Sequence, residues 1–320
     1  MNNSQFFPIV KKKNIEIQIP RDAYFSFGTS PYYAHQHGVA LDIYHDLSLR
    51  NFAALSPVEG KIIATKSLKA PSPRFKGGIS REYVTLIKNP KDPNLLYKIL
   101  HVKPEKEVGE TVSIGEELGT TIKNGYFAPW SSPHIHLEIR TNENPFRARG
   151  GEQIPLHILK KPIKLLKTQK EHQKTEDIQI KIQELHPNYY LGTFPHYYYC
   201  KYDNIIGIAG DLMQNHCILD GGIPIYKNGI VLHNKTFNMR HLGQYVHFGP
   251  YQIGSIYDGY DNFYFYRFRK YKMYLGNIKL RTISLFLGFN IPLIKFIPSN
   301  PNEVLQIDSI QSLKFESTNF

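Results

Sequence analysis

The chain is poor in the residues that stabilise small secreted scaffolds. It has two cysteines, one tryptophan and four methionines in 320 residues. Two cysteines, Cys200 and Cys217, make neither a disulfide framework nor a zinc knuckle. They are expected as free, buried thiols of a reducing compartment. No apolar run approaches the ~18 residues needed to span a bilayer, so no transmembrane segment is expected. The chain holds no His-Glu-x-x-His helix, no Gly-x-Ser-x-Gly elbow and no Walker-type phosphate loop, which excludes those three chemistries. Acid is in deficit too: 27 Asp and Glu stand against 39 Lys and Arg, a formal charge of +12. The N-terminus has only a short apolar patch, Phe6-Phe7-Pro8-Ile9-Val10, with its charge after the patch. It does not read as a secretory signal. A cytoplasmic location is the default expectation, with unconventional export as the alternative.

What is present suggests two domains, mostly β. The length fits about two domains by the usual size prior. A boundary follows Gly150-Gly151. From there to Glu184 the chain is Lys-rich (Lys160, Lys161, Lys164, Lys167, Lys170, Lys174) and reads as a strand or two followed by a solvated linker. Residues 185–320 are dense in Tyr, Phe and Gly. Hairpin signals occur at Lys227-Asn228-Gly229 and Tyr257-Asp258-Gly259, and the alternating runs between them fit strands of a second all-β domain. The stretch Tyr264–Tyr274 interleaves aromatics with Arg267, Arg269, Lys270 and Lys272. Such a face suits an anionic polymer or single-stranded nucleic acid, although a plain strand with one wet face gives the same pattern. His241 and His247 have no carboxylate at ligand spacing and are read as ordinary polar residues.

Chemistry concentrates in the first 150 residues. Pro133-His134-Ile135-His136-Leu137-Glu138-Ile139-Arg140 sets a His-x-His pair in a β-type run, where side chains two apart share one face. Upstream, His35-Gln36-His37-Gly38-Val39-Ala40-Leu41-Asp42 places histidines near a carboxylate. Catalytic zinc takes three N or O protein ligands and leaves a fourth position for water. One His and one Asp from here, with one His of the downstream pair, complete such a set. His101 is a lone histidine at the end of the apolar run Leu96–Leu100. Tyr126, Phe127 and Trp130 precede the His-x-His strand, where they either line a substrate groove or cap the core.

Taken in order, Ser26-Phe27-Gly28, His…Asp, the strand ending in His101, Val108–Gly119 with its paired Gly-Glu steps, and Ser132-Pro133-His134-x-His136 resemble the lysostaphin/LytM-type zinc metallopeptidases. The resemblance spans residues 21–150. It implies a compact antiparallel β-sandwich or barrel-sandwich-like domain over residues 1–150. It also implies zinc on His37, Asp42 and His136, and catalytic histidines at His101 and His134. One departure stands out. The family pattern His-x-Gly-x-Asp separates ligands by four residues, whereas His37 and Asp42 are five apart and point to opposite faces of a regular strand. A bulge near Gly38 would restore the geometry. His35 is the other candidate ligand.

The implied function is a zinc metalloendopeptidase acting on short peptides or cell-wall cross-links. Metal-bound water is the nucleophile, and His134 and His101 handle the proton and the tetrahedral intermediate. The alternatives are an inactive peptidase-like scaffold that binds a peptide or anionic polymer, and a nucleic-acid-binding protein.

Overall fold

The structure is a computed structural model that describes residues 5–12, 14–155, 162–167, 177–225 and 228–317. It is mostly β, and its helical segments among those residues are at most four residues long. None is long and apolar enough to cross a membrane. The chain divides into two compact units, residues 1–25 with 32–157, and residues 26–31 with 158–320.

The first unit opens with a hairpin, β1 (Phe6–Lys12) and β2 (Ile15–Pro20). A short β3 (Tyr24–Ser26) and helix α1 (Tyr33–Gln36) precede β4 (Ala40–Tyr44). There follow β5 (Ala53–Leu55), β6 (Gly60–Lys69), β7 (Arg81–Lys88), β8 (Leu95–Leu100), β9 (Val102–Pro104), β10 (Thr111–Val112), β11 (Glu117–Thr121) and β12 (Ile135–Thr141). Strands β10, β6, β7, β8, β12 and β4 pair in that order, all antiparallel. Strands β5, β11 and β9 make a separate three-stranded sheet.

Register gives the two faces of the larger sheet opposite characters. Leu137 lies opposite Leu41 and Ile99, Ile139 opposite Tyr97, and Ile135 opposite Ile43. These residues are buried and form the apolar face. Their neighbours must point the other way. That second face carries Asp42 on β4 and His136, Glu138 and Arg140 on β12. It also carries Lys98 on β8 and Glu82 at the start of β7. Among these charges the same face carries an apolar cluster of Val84, Leu86 and Leu96, with Leu86 opposite Lys98 and Leu96 opposite Arg140. Strand β12 is buried at every position but Thr141, because it lies between β4 and β8 and is covered on both sides.

The second unit contains two closed antiparallel circuits of six strands. One runs Ile205–Leu212, Asn215–Ile223, Asn228–Leu232, Phe263–Phe268, Tyr251–Tyr260, Tyr245–Phe248 and back to Ile205–Leu212. The other runs Ile178–His186, Tyr189–Thr193, Ile294–Pro298, Ile278–Leu285, Tyr271–Leu275, Ile310–Ser317 and back to Ile178–His186. Gly221–Ile223 pairs with Ile283–Leu285 and joins the two. Within each circuit every strand is paired on both sides. A cluster of buried aliphatic and aromatic residues, including Tyr199, Tyr264, Tyr266, Phe248 and Phe296, runs through the unit.

Several sequence readings change here. The strand Ile178–His186 begins inside the stretch read as linker. Of the six lysines read there, only Lys164 and Lys167 fall among the described residues. Tyr257, Asp258 and Gly259 lie within a strand, and the turn falls at Asp261-Asn262. Lys227 lies outside the described residues, and Asn228 already belongs to a strand. In Tyr264–Tyr274 the rings of Tyr264, Phe265 and Tyr266 are buried, so none is a stacking platform; Arg267, Arg269, Lys270 and Lys272 remain largely exposed. Cys200 and Cys217 are free and buried.

Candidate metal centre

The register builds the site. His136 on β12 lies directly opposite Asp42 on β4, so both side chains rise from one face of the sheet. His136 Nδ1 is 2.9 Å from Asp42 Oδ1. The third member comes from α1. Val39 N–H donates to Ala34 C=O at 2.8 Å, and Gly38 takes φ 65°, the left-handed conformation that lets a helix end in glycine. That turn carries the chain from α1 into β4. It leaves His35 buried over the sheet face, with Nε2 3.2 Å from Asp42 Oδ1 and 3.2 Å from His136 Nδ1.

His37 is not part of this cluster. It is exposed, its ring stacks on Tyr33 with centroids 3.9 Å apart, and its Nδ1 lies 2.8 Å from Tyr33 C=O. The expectation placed His37 on a strand running into Asp42. The residue caps a helix instead, and counting strand faces does not apply to it. Among the described residues, His35, Asp42 and His136 form the group that could hold one metal ion.

The three atoms fit zinc. Bonds of roughly 2.0–2.1 Å at tetrahedral angles hold neighbouring ligand atoms roughly 3.3 Å apart. The observed separations are 3.2, 3.2 and 2.9 Å, all among the same three atoms. Two imidazoles and one carboxylate are also the open-site donor set.

Around these atoms each further group has one end tied down. His136 Nε2 lies 3.1 Å from Glu138 Oε1. Glu138 is held in turn by Lys98 Nζ and Arg140 Nε, each at 3.3 Å. His134 Nδ1 donates to Ser132 C=O at 2.9 Å, which leaves its Nε2 3.5 Å from Asp42 Oδ1. His101 Nδ1 meets Glu82 Oε2 at 2.6 Å. The His101 ring lies 5.1 Å from that of His134 and 5.6 Å from that of His136, centroid to centroid. Phe127 packs on His101 at 4.8 Å and on His134 at 5.0 Å. The site thus brings together four of the five residues expected from sequence: Asp42, His101, His134 and His136. It includes His35, the other candidate ligand, and adds Glu82, Asn124 and Glu138.

Burial and charge set the protonation states. Burial alone would raise the Asp42 pKa, but the neighbouring His134 and His35 rings and the hydrogen bonds from His136 and His35 hold it well below the usual carboxylate range. Burial opposes charge on His136 as well, yet its bonds to Asp42 and Glu138 push it up to about 9. A metal ion binding here would replace the proton that Nδ1 shares with Asp42. Burial pushes His134 down to about 4, a neutral imidazole. Glu82 is held at about 2: its burial is outweighed by His101 and by the bond from Asn124.

Comparison with known proteins adds little to this geometry. Residues 15–156 match the family described as Domain of unknown function (DUF8155) N-terminal domain. A search of curated proteins found no match. Among solved structures the chain is similar to the NMR solution structure of lysostaphin, at 15% identity and a TM-score of 0.27, over 59% of this chain and 83% of that one. A TM-score this low carries no argument about fold or activity.

Proposed function

We propose that the first unit is a zinc-dependent hydrolase of peptide amide bonds, with His35, Asp42 and His136 as ligands. The observation that carries this reading is the triangle of ligand atoms, with sides 3.2, 3.2 and 2.9 Å, buried on one sheet face. Zinc held there supplies Lewis acidity and a bound water acidified toward neutral pH.

The chain's own groups have separate tasks. His134 keeps its Nδ1 proton on Ser132 C=O, so Nε2 offers a lone pair beside the ligand atoms and accepts a proton from water. His101, held at Nδ1 by Glu82, presents Nε2 from the other side. Phe127 packs against both rings. The substrate class proposed is a short peptide or the amide of a cell-wall cross-link. The exposed cations from Arg267 to Lys272 are where an anionic polymer would meet the second unit.

A second reading also has support in the geometry. Asp42, His35 and His136 satisfy one another by hydrogen bonds, so a metal-free scaffold could keep this shape and only bind a peptide. Hydrolysis of a panel of short peptides and wall fragments by the zinc-loaded chain separates the two. The hydrolase reading requires cleavage that stops with a chelator and returns with zinc. Binding without cleavage, unchanged by chelator, supports the scaffold instead.

A further inference from the structure

Glu82, which no sequence motif singled out, is buried at the start of β7 and saturated as an acceptor. Its Oε1 takes the backbone N–H of His101 at 2.9 Å and that of Tyr83 at 2.8 Å. Its Oε2 takes His101 Nδ1 at 2.6 Å and Asn124 Nδ2 at 2.8 Å. Three of these groups, the two backbone N–H groups and the Asn124 amide, can only donate, and together they stabilise Glu82 as an ionised carboxylate. The proton between Glu82 and His101 therefore sits on Nδ1, and the ring's tautomer is fixed.

The backbone agrees with this grip. His101 has φ 65°, a left-handed conformation that is uncommon for a non-glycine residue. The turn occurs between β8 and β9, where the chain passes from one sheet to the other. The bond from His101 N–H to Glu82 holds the residue in that conformation. Asn124, fully buried, anchors the far side: its Nδ2 donates to Glu82 and to Arg81 C=O at 3.0 Å, and its Oδ1 accepts from Tyr126 N–H at 3.0 Å.

We propose that Glu82, braced by Asn124, is a positioning residue that holds His101 with Nδ1–H inward and Nε2 toward the metal centre. Held in this way, His101 keeps its Nδ1 on the carboxylate and turns its Nε2 toward the neighbouring His134 and His136 rings; the part it plays in catalysis rests on the hydrolase reading above.

Nitrogen-edited NMR of the imidazoles tests the grip without reference to activity, with His101 assigned through His101→Gln. The wild-type ring should show an Nδ1-bound proton far downfield, protected from exchange. In Glu82→Gln that resonance should disappear. Bound zinc should stay equal to wild type, because no ligand is changed. The kcat should fall on the order of 100-fold, with KM moving far less. A wild-type His101 whose Nδ1 bears no proton overturns the proposal, and that measurement needs no variant to fold. Equal ring spectra and equal kcat in wild type and variant also overturn it. A wild type that hydrolyses nothing, but whose ring changes as described in Glu82→Gln, refutes the hydrolase and leaves the positioning role standing.

Discussion

Replacing Glu82 by Gln should flatten the acid limb of this protein's stability curve. The carboxyl falls from 4.5 to about 2 in the folded chain. Its folded pKa lies below its unfolded one, so its contribution is fully present above pH 4.5 and is lost as pH falls toward 2. At about 1.4 kcal/mol per unit, that contribution is worth about 3 kcal/mol. Glutamine keeps the shape but cannot titrate. It also places an amide against donors that need an acceptor, so the variant should be less stable than wild type at pH 7. Trp130, the only tryptophan, lies in the first unit, so its fluorescence reports the unfolding of the unit that holds Glu82. Denaturant titrations from pH 7 down to pH 2.5 should show the wild type losing about 3 kcal/mol more than the variant over the acid range. Asp42 and Glu138 are also held low, but they titrate in both proteins and drop out of the difference. Parallel curves for the two proteins would refute the reasoning, because Glu82 would then gain nothing from His101.

Two further outcomes follow from the same geometry. Glu138→Gln replaces the carboxylate that lies 3.1 Å from His136 Nε2 with a neutral amide and should weaken zinc binding about 10- to 100-fold, as changes to outer partners of ligating histidines usually do; competition with a chromophoric chelator measures it. Gly119→Ala should destabilise the first unit by more than about 2 kcal/mol, since Gly119 has φ 143° and an added Cβ would sit 2.1 Å from Lys103 C=O on the paired strand; a Trp130 unfolding midpoint equal to wild type would contradict it.

Much of the site could be read in the sequence because strand alternation is local. His134 and His136 do share one face, and Asp42 does meet His136. Nearness to Asp42 and to Gly38 pointed to His37, but residues 33–36 form a helical turn, and that turn brings His35 over the sheet face and leaves His37 exposed. Gly38 carried the relevant signal: a glycine just after a short polar stretch ends a helix as readily as it bulges a strand. Glu82 and Asn124 had no signature, since each acquires its role from a contact between distant segments. Glu138 sits two residues beyond His136 and could have been picked by the same alternation. In the second unit, the interleaved aromatics of Tyr264–Tyr274 suggested an exposed face. Closure of the strands into circuits buries Tyr264, Phe265 and Tyr266 instead, and no local pattern reveals closure.

Metal content of the purified chain tests the central assignment most directly, because the geometry separates two neighbouring histidines. Wild type and His37→Ala should each hold one zinc per chain, while His35→Ala should lose it. Zinc retained by His35→Ala and lost by His37→Ala would contradict the placement of the centre.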